Sequence, residues 1–176
     1  MHQTSLDLMK YFVEKYLPEN SDVLDFGGSH THGSYKSIIT QHNSTYKTLD
    51  WSNADYVVKG YDWSDVPKNH FDVVISGQAF EHDGYFWKTL ENIKNVVKEN
   101  GLVMIIVPSK GSFHQFPLDC YRYYPDSAII FAEILNAEKV EVIWNNSMAL
   151  LAPNSKSFTY QLDCTWGNLG MVFKLK

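Results

Sequence analysis

Two short apolar segments, each running straight into a polar glycine-containing loop, constrain this chain more than any other feature. One is Val23-Leu24-Asp25-Phe26-Gly27-Gly28-Ser29-His30-Thr31-His32-Gly33. The other, about fifty residues on, is Phe71-Asp72-Val73-Val74-Ile75-Ser76-Gly77-Gln78-Ala79-Phe80-Glu81-His82. Each reads as a buried strand that ends in a loop. Two such strand ends on one parallel sheet make a ligand pocket at the carboxyl edge of that sheet.

The rest of the chain supplies strands and helices in alternation. Leu6, Met9, Phe12, Val13, Tyr16 and Leu17 recur at helical spacing, and Pro18 ends that segment. Asp22–Phe26 is the first strand, Tyr35–Gln41 a short helix, Thr45–Asp50 the second strand and Tyr56–Val58 a brief third. Phe71–Ser76 is the fourth, and Tyr85–Lys98 follows as an amphipathic helix with Phe86, Leu90, Ile93 and Val97 on one stripe. Asn100-Gly101 turns the chain into Leu102–Val107, an unbroken apolar run suited to a strand covered on both faces. A long loop, Ser109–Tyr124, leads to a helix over Asp126–Leu135 that Pro125 can start. Val140–Trp144 and Met171–Leu175 close the chain as two strands, joined by an irregular stretch. This alternation predicts an α/β fold, Rossmann-like and doubly wound, with a mainly parallel sheet of about seven strands and an antiparallel edge strand.

With 176 residues, 44% hydrophobic and 15% aromatic, the chain can bury one sizeable core. The net charge is −5 and no two Lys or Arg residues are adjacent. That argues against general duplex binding, which requires phosphate neutralisation, and leaves only a local basic patch open. Cys120 and Cys164 form no CxxC pair. With no secretory signal read at the N-terminus, free thiols and a cytoplasmic location are expected. No apolar stretch has membrane-spanning length.

The pocket residues argue against a dinucleotide. That ligand calls for G-x-G-x-x-G opening a helix, and here the loop reads D-x-G-G-S-H-T-H-G. Asp25 ends the first strand, where a carboxylate suits a ligand carrying an ammonium or sulfonium charge. Gly27 and Gly28 let the backbone approach the ligand, with Ser29 beside them. Asp50, 25 residues after Asp25, ends the second strand and is placed to accept both hydroxyls of a ribose. Trp51 can pack on an adenine. Asp62 can accept its amino group and Trp63 offers a stacking face. Gln78 and Phe80 are expected to line the same pocket. Each has a plainer alternative: Asp25 as a loop-ordering residue, the glycines as a tight turn.

These residues resemble a family. The chain is similar to class I S-adenosylmethionine-dependent methyltransferases of the broad type 11 group. The resemblance covers about Ser21 to Asp126 and rests on Val23–Gly28, Gly33-Ser34-Tyr35, Leu49-Asp50, Phe71–His82, Asn100-Gly101-Leu102 and Pro108-Ser109. A bacterial and phage-type subgroup carries a loop like His114-Gln115-Phe116-Pro117-Leu118-Asp119-Cys120-Tyr121-Arg122-Tyr123-Tyr124-Pro125-Asp126. Ser29 and Thr31 depart from the further glycines usual in the wider family. The resemblance implies S-adenosyl-L-methionine as the methyl donor. It also implies a single domain over residues 1–176, with the donor half at about 1–108 and a substrate loop at about 109–126.

Methyl transfer to a hydroxyl requires removal of a proton, so a base is useful. His82, at the rim after the fourth strand, is one candidate, unless it only ties the loop to the next helix. His114 and Asp119 are alternatives, while Asp119 could instead pair with Arg122. Glu81, Arg122 and Tyr121 are assigned to substrate binding, and Glu81 also suits ordering of the donor's methionine end through water. His30, His32, His114, Asp119 and Cys120 are too scattered for ligand geometry to be read, and no metal site is expected.

The leading expectation is O- or N-methylation of a small-molecule or sugar substrate, since aromatic faces stack on pyranose rings. A homodimer is left open; membrane and nucleic acid are not expected partners. The alternative is a non-catalytic nucleoside-binding or partner-binding module that retains the fold. The Asn/Asp-Pro-Pro-aromatic signature of amino-methylating nucleic-acid enzymes is missing where Ser76-Gly77-Gln78-Ala79 stands.

Overall fold

The structure, a computed structural model, describes residues 3–29, 34–145 and 166–176. Its elements run α1 (Gln3–Tyr16), β1 (Asp22–Phe26), α2 (Lys36–Thr40), β2 (Thr45–Asp50), β3 (Tyr56–Val57), β4 (Phe71–Gly77), α3 (Phe86–Val96), β5 (Val97–Lys110), α4 (Ser127–Leu135), β6 (Ala137–Asn145) and β7 (Gly167–Leu175). The seven strands lie in the order β3-β2-β1-β4-β5-β7-β6. β1 pairs in parallel with β2 and β4, and β4 with β5. β7 runs antiparallel and slots between β5 and β6. The mainly parallel α/β architecture with an antiparallel element at one side is therefore as the sequence predicts.

Strand periodicity sorts side chains into two buried layers. Val74, Val103, Ile105 and Val107 face α3 and α4, where they meet Leu90, Ile93, Phe131 and Leu135. Val73, Ile75, Met104 and Ile106 face the opposite way, onto Met9, Phe12 and Val13 of α1 and Ile39 of α2. Adjacent residues of one strand thus serve different cores, which is why β4 and β5 read as continuous apolar runs. α1 sits hard against the sheet at Gly170: a Cβ there would come within 2.6 Å of Leu8 and 2.8 Å of Phe12. The far end of α1 is tied to β6 by the buried Glu141, which accepts from Lys15 at 3.0 Å and from Tyr16 at 2.8 Å.

Some boundaries differ from expectation. α3 stops at Val96 rather than Lys98, because Val97 pairs with Phe71 and the Val96 carbonyl accepts from the His70 amide. β6 and β7 are longer than expected. Gly167-Asn168-Leu169-Gly170 carries no apolar alternation, yet pairing with β5 on one side and β6 on the other holds it extended. The joining stretch between these strands lies outside the described residues over 146–165. Among the described residues, no helix is long and apolar enough to cross a membrane.

Candidate active site

The carboxyl ends of β1, β2 and β4 open onto a cavity of about 570 Å³. Its floor is made by the residues where those strands run out: Asp25 to Gly28, Asp50 with Trp51, and Gly77 to Ala79. Its outer wall is the loop from His114 to Leu118.

At the β1 end, Asp25 is buried and accepts a hydrogen bond from the Tyr46 hydroxyl at 2.5 Å. Burial is the main cause that pushes its carboxyl from 3.8 up to about 7, and the nearby charge of Asp50 adds to it. Gly27 adopts φ +79°, and a Cβ there would lie 2.4 Å from that of Ala79. The two strand-end loops therefore approach so closely that a side chain at Gly27 would strike the Ala79 Cβ, and only glycine allows it. Asp50 lines the cavity, and one of its carboxylate oxygens accepts the Trp51 amide at 2.6 Å. Gln78 holds φ +58°, an uncommon left-handed backbone for a residue with a side chain, and donates to Asn168 at 3.1 Å.

The other end of the cavity is built by a 3₁₀ turn, Phe80–His82, and the loop after β5. Glu81 is fully buried, and neither of its carboxylate oxygens has a hydrogen-bond partner. Burial pushes its carboxyl up to about 7. His82 turns Nδ1 to the Leu118 carbonyl at 2.5 Å, which leaves Nε2 on the cavity side, 3.7 Å from Glu81 Oε1. Burial lowers the pKa of this imidazole. The His114 ring meets the His82 ring edge-on at a centroid distance of 4.9 Å. The Cys120 amide donates to the Glu81 carbonyl at 2.7 Å and locks the loop to the turn.

The cavity brings together Asp25, Gly27, Gly28, Asp50, Trp51, Gln78, Glu81, His82 and His114, all named from the sequence. Ser29 is buried but is not part of the lining, and His30 and His32 lie outside the described residues. Three expected ligand contacts are placed elsewhere. Phe80 and Trp63 are core residues packed on Phe26, because their rings find apolar neighbours beneath the cavity floor. Asp62 is exposed, and its carboxylate accepts the Ser64 amide at 3.1 Å.

The substrate-side expectations change more. Arg122 and Asp119 form a forked ion pair at 2.6 and 2.9 Å. The remaining Arg122 bonds reach the Tyr121 and Ser112 carbonyls, so its charge is spent inside the loop rather than offered to an acceptor. The same guanidinium holds the Asp119 carboxyl well below the usual carboxylate range, which unfits it as a base. Tyr121 donates to the Gly84 carbonyl at 3.0 Å and packs on Phe86 and Tyr123, away from the cavity.

Sequence reasoning missed Tyr35, Tyr61 and Asp83 in the lining. Asp83 accepts from the Tyr61 hydroxyl at 2.6 Å and from the Tyr85 amide at 3.0 Å, and so pins the entry to α3. An acid just ahead of a helix is a readable sign. Tyr35 stands in the Gly33-Ser34-Tyr35 motif with no role attached to it, and nothing local marks Tyr61.

The donor set fits S-adenosylmethionine. A buried carboxylate faces the cavity at β1, a second carboxylate sits at the end of β2, and Gly27 and Gly28 line the cavity without side chains. A cavity of about 570 Å³ suits one ligand of that size with a small companion.

This strand order is that of the Rossmann-like α/β methyltransferase fold. Solved structures agree on the fold. A SAM-dependent methyltransferase from Archaeoglobus fulgidus superposes with TM-score 0.67 at 15% identity, over 96% of this chain and 94% of that one. Burkholderia thailandensis 1,6-didemethyltoxoflavin-N1-methyltransferase, with 1,6-didemethyltoxoflavin and S-adenosylhomocysteine bound, gives 0.70 at 11% identity, over 98% and 79%. A Haloferax volcanii putative methyltransferase in complex with the Trm112 activator gives 0.64 at 16%, over 95% and 87%. No curated protein sequence matches the chain. Residues 35–105 match the type 11 family model, described as a methyltransferase domain. Over that segment, less than half of the chain, the sequence is similar to the type 11 methyltransferases, and the fold is that of S-adenosyl-L-methionine-dependent methyltransferases.

Proposed function

We propose that the chain is an S-adenosyl-L-methionine-dependent methyltransferase that methylates a hydroxyl or amine of a small-molecule or glycan-type acceptor, held at the His82–His114 end of the cavity. The observation that carries this reading is the shape of the cavity. It runs from the Asp25–Asp50 end to the two imidazoles, and the His114–Leu118 loop walls off its outer side. A donor bound against Asp25 and Asp50 leaves room beside His82 for a small acceptor rather than for a macromolecular surface.

S-adenosylmethionine supplies an electrophilic methyl carbon on a sulfonium. With that donor held by Asp25 and Asp50, an acceptor lone pair would take the methyl group and the carbon–sulfur electron pair would stay with sulfur. One proton leaves the acceptor for each methyl gained. The chain's part is to position both reactants and to keep water out. Asp25 and Asp50 hold the donor. The aromatic faces of Trp51 and Phe116, 6.4 Å apart, offer a platform for a ring-shaped acceptor such as a sugar. The small acceptor named for the Burkholderia protein is in keeping with this reading.

The test is calorimetric titration with S-adenosylhomocysteine, followed by an acceptor panel of phenols, sugars, nucleosides and amines assayed for methyl transfer. Micromolar product binding with turnover on a member of that panel supports the proposal. Turnover confined to proteins or nucleic acids would overturn it.

A further inference from the structure

Glu81, His82 and His114 come from two separate elements, yet one potential ligand atom of each lies within 4.8 Å of the others. Glu81 presents both carboxylate oxygens, fully buried and without a hydrogen-bond partner. A buried carboxylate left unsatisfied is costly, and the structure keeps this one facing the cavity. The two imidazoles are held in matching fashion. His82 directs Nδ1 to the Leu118 carbonyl. His114 directs Nδ1 to the Ser112 carbonyl at 3.2 Å, with Asp119 Oδ2 at 3.5 Å. In each ring the second nitrogen is left as a lone-pair donor, and this backing of Nδ1 by a carbonyl or carboxylate is how proteins orient metal-ligating histidines.

We propose that Glu81, His82 and His114 bind a divalent transition-metal ion at the acceptor end of the cavity. Two imidazoles and one carboxylate suit Zn²⁺, Mn²⁺ or Fe²⁺ better than the all-oxygen preference of Mg²⁺ or Ca²⁺. Three protein ligands leave coordination positions open toward the cavity. An acceptor hydroxyl bound at an open position is oriented for attack and loses its proton to solvent more readily. That second role rests on the proposed acceptor chemistry; ion binding by itself does not.

The loop carries the machinery for this arrangement. Arg122 grips Asp119 and the Ser112 carbonyl, and Asp119 accepts the His114 amide at 2.7 Å. These contacts bracket His114 on both sides and aim its ring at His82.

The test uses the whole chain, freed of metal by chelation and checked for folding by circular dichroism. It is titrated with Zn²⁺ by calorimetry and with Co²⁺ by visible absorption, without any methyl donor. The expected result is one ion per chain with ligand-field bands from Co²⁺. Glu81→Gln and His114→Ala should each weaken Zn²⁺ binding by about ten- to hundredfold. His114 is a half-buried residue on a mostly exposed loop, so its variant is expected to fold, and thermal unfolding checks that. His30→Ala/His32→Ala controls for other imidazoles and should leave binding intact. Absence of binding by the folded protein would overturn the site, as would binding lost only in the His30/His32 variant. S-adenosylhomocysteine titrated into metal-free protein reads the methyltransferase function separately, so either reading can fail without the other.

Discussion

Asp119 receives the Arg122 guanidinium through both carboxylate oxygens, at 2.6 and 2.9 Å, and with one of them also accepts the His114 amide. The pair is thus the staple of the loop that presents His114 to the cavity. Removing Arg122 leaves a nearly buried carboxylate without its partner. Arg122→Ala should lower stability by about 1–3 kcal/mol. Arg122→Lys should not restore it, because an ammonium cannot make the fork. Thermal unfolding reads the loss. S-adenosylhomocysteine affinity, which the proposed donor site sets at the other end of the cavity, should stay within about threefold; a collapse of that affinity would show that the loop shapes the donor site instead.

Asp50 stands at the end of β2 facing the cavity. If it holds the ribose, Asp50→Ala removes charge-assisted hydrogen bonds worth about 1.5–3 kcal/mol. That corresponds to about ten- to hundredfold weaker S-adenosylhomocysteine binding by calorimetry. An unchanged dissociation constant in a folded variant would move the ribose elsewhere.

Gly27 combines φ +79° with a 2.4 Å approach to the Ala79 Cβ position. Gly27→Ala meets both a backbone penalty of about 1–2 kcal/mol and a clash that pushes β1 and β4 loops apart. Denaturant unfolding should show a lower midpoint, and product binding should weaken with it. A variant as stable as the parent would mean that the two loops separate freely.

Burial raises the Asp25 carboxyl to about 7, with Tyr46 donating to it and Asp50 adding repulsion. In the unfolded chain the same group titrates near ~4. Between those values the folded state holds more protons than the unfolded state, so stability falls as pH rises across that window. Denaturation at pH 5 and pH 8 should show the protein weaker at the higher pH, and Asp25→Asn should shrink the difference. Burial of Glu81 acts in the same sense, so part of the slope should persist. Equal slopes in parent and variant would refute the assignment to Asp25.

What the sequence determined by itself is the frame. Apolar periodicity placed the strands and helices, because burial on two sheet faces demands continuous apolar runs such as Leu102–Val107. Strand ends rich in glycine and acids located the cavity, since a parallel sheet offers ligands its carboxyl edge. The tertiary structure alone decided which polar groups face that cavity. Phe80 and Trp63 went to the core while Glu81 and His82 stayed at the rim, a matter of side-chain direction in one 3₁₀ turn and one loop. Arg122 and Asp119 chose each other over a ligand. His114 met His82 because Cys120 and Leu118 bond back to the turn after β4. Apart from the Asp119–Arg122 pair, three positions apart, these outcomes depend on contacts between residues more than thirty positions apart, and no local pattern encodes them.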